Sequence, residues 1–398
     1  MRLFRFLPKR IGKLGIVIFT SSLAFAIVCS IMSIYVNSFV HNEALVGFIF
    51  TFLVVVSIIT HLCIVPIIES KSKTKVFMYT LFLIGMGYIL YSIIQNLYLF
   101  LLVAIAITIL TSLRISSSGL LIEHSSNKKS LSKNEGLIYT FMNLAWVLGP
   151  LIVGLILEKL DVIRDIFVLA AIIVIFAGIL FCLFKINYSG KKKKIDGNIF
   201  KNFKNFFRGK NRVKAYLLGA GINFWWALIF VYMPLLIIQR LSDAWVGFFL
   251  FFAMIPLILL QYYFGYYVGK KGYKKIFLIG YLIPVIFAVL CFIYFENIWL
   301  ILASMSLASF GLAMTEGTTE AYFFDILKDG EDQKFYSPYN TAIDVGSLVG
   351  EFIPALILLF LPFQFIFLFF ALGMFLLVIL SSTIKEAIES RRKAEGFR

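Results

Sequence analysis

The sequence predicts an all-α membrane protein whose twelve transmembrane helices form two pseudo-symmetric bundles of six. Three observations carry that prediction. The 398-residue chain is 61% hydrophobic and 15% charged, with a mean hydropathy of +0.94, whereas a soluble protein of this size carries about 25% charged residues. Apolar runs of about 20 residues, each long enough to cross the hydrocarbon core, recur from one end to the other. The polar stretches between them fall into two sets of very unequal positive charge.

The first apolar run, 14–37, follows a segment, 1–13, with five basic residues. It is too long for the apolar core of a signal peptide and no small-residue cleavage site follows, so it reads as a retained first span. Spans 2 to 6 are 44–66, 75–94, 97–122, 137–157 and 164–185. Spans 7 to 12 are 215–238, 244–268, 275–295, 298–326, 339–361 and 363–382. Spans 3 and 4, 9 and 10, and 11 and 12 are joined by very short turns, which limits the alternative topologies.

With twelve spans the loops alternate sides. Segments 1–13, 69–75, 123–136, 185–214, 269–275, 327–338 and 383–398 together hold 33 Lys and Arg, and the opposite side holds only Lys159, Arg164 and Arg240. The positive-inside rule puts the 33 in the cytoplasm, so both termini are expected there. An error of one helix would scramble this split. The chain then divides into a cytoplasmic N-terminus 1–13, a bundle 14–185, a basic linker 186–214, a bundle 215–382 and a cytoplasmic tail 383–398. In the linker, Phe200, Phe203, Phe206 and Phe207 are interleaved with Lys201, Lys204 and Arg208. Aromatics at helical spacing with basic residues opposite suggest an interfacial helix on the anionic inner leaflet; a disordered basic linker is the alternative.

The net charge of +16 lies in these loops, so it points to membrane lipids rather than nucleic acid as the partner. Cys29, Cys63, Cys182 and Cys291 sit inside apolar runs, which argues against a disulfide framework. The three histidines lack metal-ligand spacing, and no cofactor or metal is expected.

The halves repeat. Residues 65–77 (VPIIESKSKTKVF) and 265–275 (GYYVGKKGYKK) both separate the second and third spans of a six-span set. Residues 114–124 (RISSSGLLIEH) match 316–326 (EGTTEAYFFDI), and 143–154 (NLAWVLGPLIVG) match 344–355 (DVGSLVGEFIPA). Six plus six helices with parallel halves is the signature of one transporter architecture.

On these residues the chain resembles the major facilitator superfamily over essentially its whole length. That family carries a loop motif written roughly G-x-x-x-D-R-x-G-R-K between helices 2 and 3. Its echo here is similar at Gly265, Lys270, Gly272 and Lys274, with Gly269 in place of the acid. The first-half copy keeps Glu69 and Lys73 but has Val65 and Ser72 for the glycines. A helix-5 motif ending G-P-x-x-G-G is similar to Gly149, Pro150 and Gly154, with Val153 for one glycine. Arg114 and Gly119 resemble a helix-4 motif, spaced one residue longer. The resemblance implies that the first-half loop, through Glu69, latches the halves in the outward-facing state. A plain solvated turn suits the lysines of 265–275 but does not need Gly265 and Gly272, and a phosphate-binding loop is the other rival reading. It fails because Gly265 and Gly269 are one residue too close, Lys271 replaces the hydroxyl, and both flanks are membrane helices. Gly272 and Gly265 instead read as a tight hinge with close helix approach.

Ionisable groups inside spans are functional hypotheses by default. Arg114 is expected about 13 Å in from Glu123, at 1.5 Å per residue. Glu316 holds the equivalent place in span 10, with Glu320 one turn on. The resemblance places helices 1, 4, 7 and 10 around a central cavity, which implies that Arg114 and Glu316 face each other. Such a pair either breaks and re-forms with substrate or proton, or holds the halves together. In span 11, Asp344 and Glu351 are seven apart and share a face with Ser347, while Gly346, Gly350 and Pro354 form a packing stripe. Glu351 falls near mid-membrane, where burial favours the neutral form of a carboxylate, as a proton-coupling site requires; a structural carboxylate held by neighbouring hydroxyls is the alternative. Asn223, Trp225, Trp226 and Tyr232 in span 7, with Thr20, Ser21, Ser22, Ser30, Ser33 and Asn37 in span 1, suit a cavity for a partly apolar organic solute.

The expectation is therefore a secondary active transporter, not an enzyme. It would move a small molecule by alternating access in a prokaryotic cell membrane, and would work as a monomer. The motif style is most like drug or metabolite exporters that exchange solute for protons. Four buried acids against one arginine point to a neutral or cationic substrate. A gradient-independent lipid scramblase or a non-transporting sensor on the same fold is the alternative, and a membrane-embedded transferase lacks a catalytic cluster.

Overall fold

The computed structural model describes residues 9–64, 72–125, 131–159, 163–186, 199–328 and 331–384. Among these the secondary structure is helical throughout. The twelve helices expected to span are α1 Lys9–Val40, α2 Glu43–Ile59, α3 Lys73–Ile93, α4 Leu97–Ser125, α5 Leu131–Lys159 and α6 Ile163–Leu183, then α7 Lys210–Arg240, α8 Ala244–Lys271, α9 Tyr273–Ile293, α10 Ile298–Asp325, α11 Asp332–Phe360 and α12 Gln364–Ser382. Eleven are long and apolar enough to cross a membrane, and α8 contributes the shorter apolar stretch Ala244–Leu260. Helix is forced here because lipid offers no partner to a backbone amide or carbonyl, and only a helix satisfies both within one segment. Pro150, Pro256, Pro284, Pro338 and Pro354 lie inside helices, a pattern that membrane helices tolerate because neighbours re-satisfy the freed carbonyls. Two π-helical turns interrupt the regular pitch, Thr60–Ile64 at the end of α2 and Leu228–Tyr232 within α7.

The sequence-based loop at 269–275 is corrected by the structure. α8 continues to Lys271 and α9 begins at Tyr273, so one residue, Gly272, makes the joint. Its φ of 80° and ψ of 161° lie in a region essentially reserved for glycine. Lysine is a good helix former, so the lysines alone do not end the helix. In the linker, residues Ile199–Phe207 are helical, and Lys191 to Lys194 lie outside the described residues.

The helices cluster into two compact units. Unit 1 comprises Met1–Asn42, Phe52–Lys193 and Pro234–Phe251, and unit 2 comprises Glu43–Thr51, Lys194–Met233 and Phe252–Arg398. Within unit 1, α1 packs on α4, α5 and α6, and α3 packs on α4 and α6. Within unit 2, α7 packs on α10, α11 and α12, and α9 packs on α10 and α12. Adding six to each helix number of the first set gives the second.

The match extends to single atoms. A Cβ built on Gly149 of α5 would stand 2.7 Å from the Ala26 Cβ of α1. A Cβ on Gly350 of α11 would stand 2.8 Å from the Ala227 Cβ of α7. Both residues of the second pair lie 201 positions after those of the first (350 − 149 and 227 − 26). Gly346 adds to the second contact, since its Cβ would meet the Ala220 carbonyl oxygen. In each unit two helices therefore touch backbone to backbone, as small residues permit in lipid.

Candidate functional site

The polar chemistry inside the helices separates by unit, and each group is built locally. In unit 1, Arg114 sits on α4 and is 7% exposed. Its guanidinium carbon lies 5.5 Å from the centre of the Phe25 ring on α1. Phe25 in turn meets Trp146 of α5 edge-on, with centroids 5.8 Å apart and planes at 83°. Among the described residues no carboxylate forms an ion pair with Arg114. One turn earlier, the Thr111 hydroxyl is buried without a hydrogen-bond partner. Its neighbours on α4 are satisfied. Thr108, Ser116, Ser117 and Ser118 donate back to carbonyls of their own helix, and Ser112 lies 3.4 Å from Ser57 of α2.

In unit 2 the carboxylates divide by partner. The Tyr336 hydroxyl donates to Glu320 at 3.2 Å, and the Tyr273 hydroxyl donates to Asp325 at 2.6 Å. Asp344 is buried and engaged. By contrast, Oε2 of Glu316 on α10 and Oε2 of Glu351 on α11 are buried with no hydrogen-bond partner. Glu351 is 6% exposed. The hydroxyls around Glu316 are spent on their own helix: Thr315, Thr318 and Thr319 all donate to α10 carbonyls. Trp225 of α7 is fully buried and its indole N–H also lacks an acceptor.

Several residues read from the sequence take other places. Tyr232, grouped there with cavity aromatics, is completely buried, and its hydroxyl donates to the backbone carbonyl of Glu351. The π-turn that ends at Tyr232 inserts an extra residue and re-aims the ring from α7 onto α11. Asn223 and Trp226 remain half-buried on α7, with Trp226 against Phe230. Thr20, Ser21 and Ser30 turn back on carbonyls of α1 and are not free donors. Arg114 belongs to unit 1 and Glu316 to unit 2.

The motif residues occupy close approaches. Gly149 meets α1 as above. A Cβ on Gly154 would lie 3.0 Å from the Phe248 nitrogen of α8, and one on Gly247 would lie 2.6 Å from the Pro150 carbonyl oxygen. Gly119 has open space around it. Lys73 opens α3, Gly265 lies inside α8, and Lys274 is half-buried in the first turn of α9. Glu69 lies outside the described residues, as does the side chain of Glu123. Tyr273, Tyr336 and Thr111 were not singled out from the sequence. Tyr273 stands inside the loop motif and Thr111 one turn from Arg114, so position was their available signal.

The linker helix is anchored to unit 2. Phe206 is fully buried among Tyr216, Phe323 and Phe335. Arg212 donates to the carbonyls of Asn205 and Phe206 at 2.8 and 3.2 Å and lies 4.3 Å from the Phe335 ring centre. Lys201, Lys204 and Arg208 stay exposed.

The family model of the Major Facilitator Superfamily matches residues 14–283 and 240–397 of the chain. Among solved structures, one similar to it is a POT family transporter in complex with 5-aminolevulinic acid, at 14% identity and a TM-score of 0.75, covering 94% of this chain and 95% of that one. A mutant of the nucleoside transporter NupG matches at 12% identity and a TM-score of 0.74, over 94% and 98% of the two chains. The human organic anion transporter MFSD10 matches at 14% identity and a TM-score of 0.69, over 94% and 100%. At these identities the structures share the fold. The chain matches no curated protein sequence.

Proposed function

The chain belongs to the Major Facilitator Superfamily, and from that premise we propose that it is a secondary active transporter that moves a small organic solute by alternating access, coupled to protons. The observation that carries the reading is the pair of carboxylates without partners, Glu316 and Glu351, each with a buried Oε2 atom. A buried, unpaired carboxylate is costly when charged and tolerable when protonated. A carboxylate in that position takes up a proton when closed off and releases it when water enters, which is the cycle a proton-coupled carrier uses. Glu320 and Asp325 already accept hydrogen bonds and are less suited to it.

The helix-5 signature at Gly149, Pro150 and Gly154 leans the reading toward exchange of solute for protons, hence efflux. The charge split of the loops supports a chain with both termini in the cytoplasm, and the dense Lys, Ile and Phe usage supports a prokaryotic cell membrane. Structural neighbours include a POT family transporter in complex with 5-aminolevulinic acid, a nucleoside transporter and an organic anion transporter, so the solute class to test is small and organic.

The test is flux in proteoliposomes with an imposed pH gradient, using labelled 5-aminolevulinic acid, uridine and benzoate as probes. Glu316→Gln and Glu351→Gln are expected to abolish gradient-driven accumulation of whichever probe the wild type carries. They should spare exchange of labelled for unlabelled solute. Unimpaired accumulation in both variants would refute proton coupling at these residues. Flux that ignores the gradient in the wild type would favour a scramblase.

A further inference from the structure

We propose that Arg114 and Thr111 form an anion-binding subsite within unit 1, and that the transported solute presents to it one carboxylate carried on an apolar, planar body. The proposal rests on the transport reading above and names the substrate class. It also reverses the charge expected from counting buried acids. A carboxylic acid buried without a partner can become neutral by binding a proton, but a guanidinium stays charged. Glu316 and Glu351 can therefore be silent when nothing is bound, and Arg114 cannot.

Arg114 is 7% exposed and has no ion pair or hydrogen bond among the described residues. The face of Phe25 at 5.5 Å offsets only part of the cost of burying its charge. The second observation is independent. Thr111 precedes Arg114 by three residues, which puts both on one face of α4, and its buried hydroxyl also has no acceptor. Every other hydroxyl named above on this helix has found a partner. Two donors on one face therefore lack an acceptor. A carboxylate supplies what both need, because its two oxygens match the guanidinium fork and a remaining lone pair accepts from a hydroxyl. A phosphate dianion fits less well, since Arg114 is the only Lys or Arg that lies away from the ends of a sequence-predicted span. Phe25 and Trp146, edge-on to each other beside the guanidinium, supply apolar aromatic surface for the rest of the solute.

The test is equilibrium binding to the purified full chain in detergent, read by thermal stabilisation and by radioligand competition. The probes are benzoate, phenylacetate and octanoate, against benzamide and benzylammonium. Carboxylates are expected to stabilise the wild type where the amide and the ammonium do not. Arg114→Gln should abolish that effect, Arg114→Lys should weaken it, and Thr111→Val should weaken it about tenfold. Melting of each unliganded variant is recorded, and Thr111→Val, which keeps shape and charge, carries the test if Arg114→Gln does not fold. The proposal is overturned if no carboxylate in the panel stabilises the wild type, if benzylammonium binds in preference, or if Arg114→Gln binds benzoate as the wild type does. No gradient is present in this assay, so such a failure leaves the proton-coupled reading to stand or fall on the flux of the Glu316 and Glu351 variants.

Discussion

The two Gly–Ala contacts give a prediction that can be worked atom by atom. Gly149→Ala would place a Cβ 2.7 Å from the Ala26 Cβ. Carbon atoms rest about 3.5–4.0 Å apart, so α1 and α5 would have to separate by about 1 Å. Overpacking of this kind costs about 1–3 kcal/mol. Gly350→Ala would meet the Ala227 Cβ at 2.8 Å and should cost a similar amount. The two sites differ in what lies behind the methyl group. Replacing Ala26 by glycine removes the 2.7 Å clash and leaves backbone atoms at 3.1 Å, which a small shift relieves. Replacing Ala227 by glycine leaves the Phe224 carbonyl oxygen at 2.7 Å. Both double variants keep one glycine and one alanine, so helix propensity cancels to first order. The double-mutant cycle for Ala26→Gly with Gly149→Ala should therefore show a coupling of about 1–2 kcal/mol, and the cycle for Ala227→Gly with Gly350→Ala about half that or less. The assay is unfolding by SDS titration in mixed micelles, followed by tryptophan fluorescence. A Gly149→Ala protein as stable as the wild type would refute the close-contact reasoning. Equal rescue at both sites would refute the role given to the Phe224 carbonyl.

Two further predictions concern the ends of the helices. Gly272→Ala is expected to destabilise by about 1–3 kcal/mol, because an alanine must either strain at a φ of 80° and ψ of 161° or move the start of α9; stability unchanged in the same SDS titration would show that the joint is adaptable. Arg212→Gln should loosen the linker helix, raising the rate of tryptic cleavage near Lys201 and Lys204, since it loses two carbonyl bonds and the Phe335 ring contact. Glu331→Gln should change that rate little, because the Arg212–Glu331 pair is 3.9 Å long with side chains 21% and 28% exposed.

The helices were legible because hydrocarbon leaves the backbone one solution, and a run of apolar residues announces it. The linker helix was legible from phenylalanines at a helical interval. The joint at Gly272 was only half legible: the glycine marked a break, but its lysines suggested a longer loop than the one residue that breaks the helix. The site was less legible still. Nothing local separates Thr111 from Ser116, yet one hydroxyl is satisfied by its own helix and the other is not. That difference lies in side-chain rotamers, which depend on packing around α4. Tyr232 was misplaced for a similar reason, since the π-turn that swings it onto α11 has no sequence signature. Which carboxylates stay unpaired likewise depends on long-range partners. Tyr336 reaches Glu320 from 16 residues on, whereas Glu316, one turn earlier on the same helix, has no such neighbour.

The interval of 201 residues between matched contacts bears on how a chain like this can bury charge at all. A symmetric dimer of identical subunits must bury every charge twice. If one copy holds an internal arginine, so does the other, and no substitution can neutralise one without altering both. Tandem duplication in a single chain lifts that constraint, because each copy can then mutate alone. Here the glycine that fits against alanine is the same in both copies, while at the same interval Arg114 in one is matched by Thr315, next to Glu316, in the other. Geometry has been kept in duplicate and ionisation has been split. On the proposed reading one half holds a fixed positive charge and the other a carboxyl whose charge a proton removes, a division of labour open to copies that diverge independently.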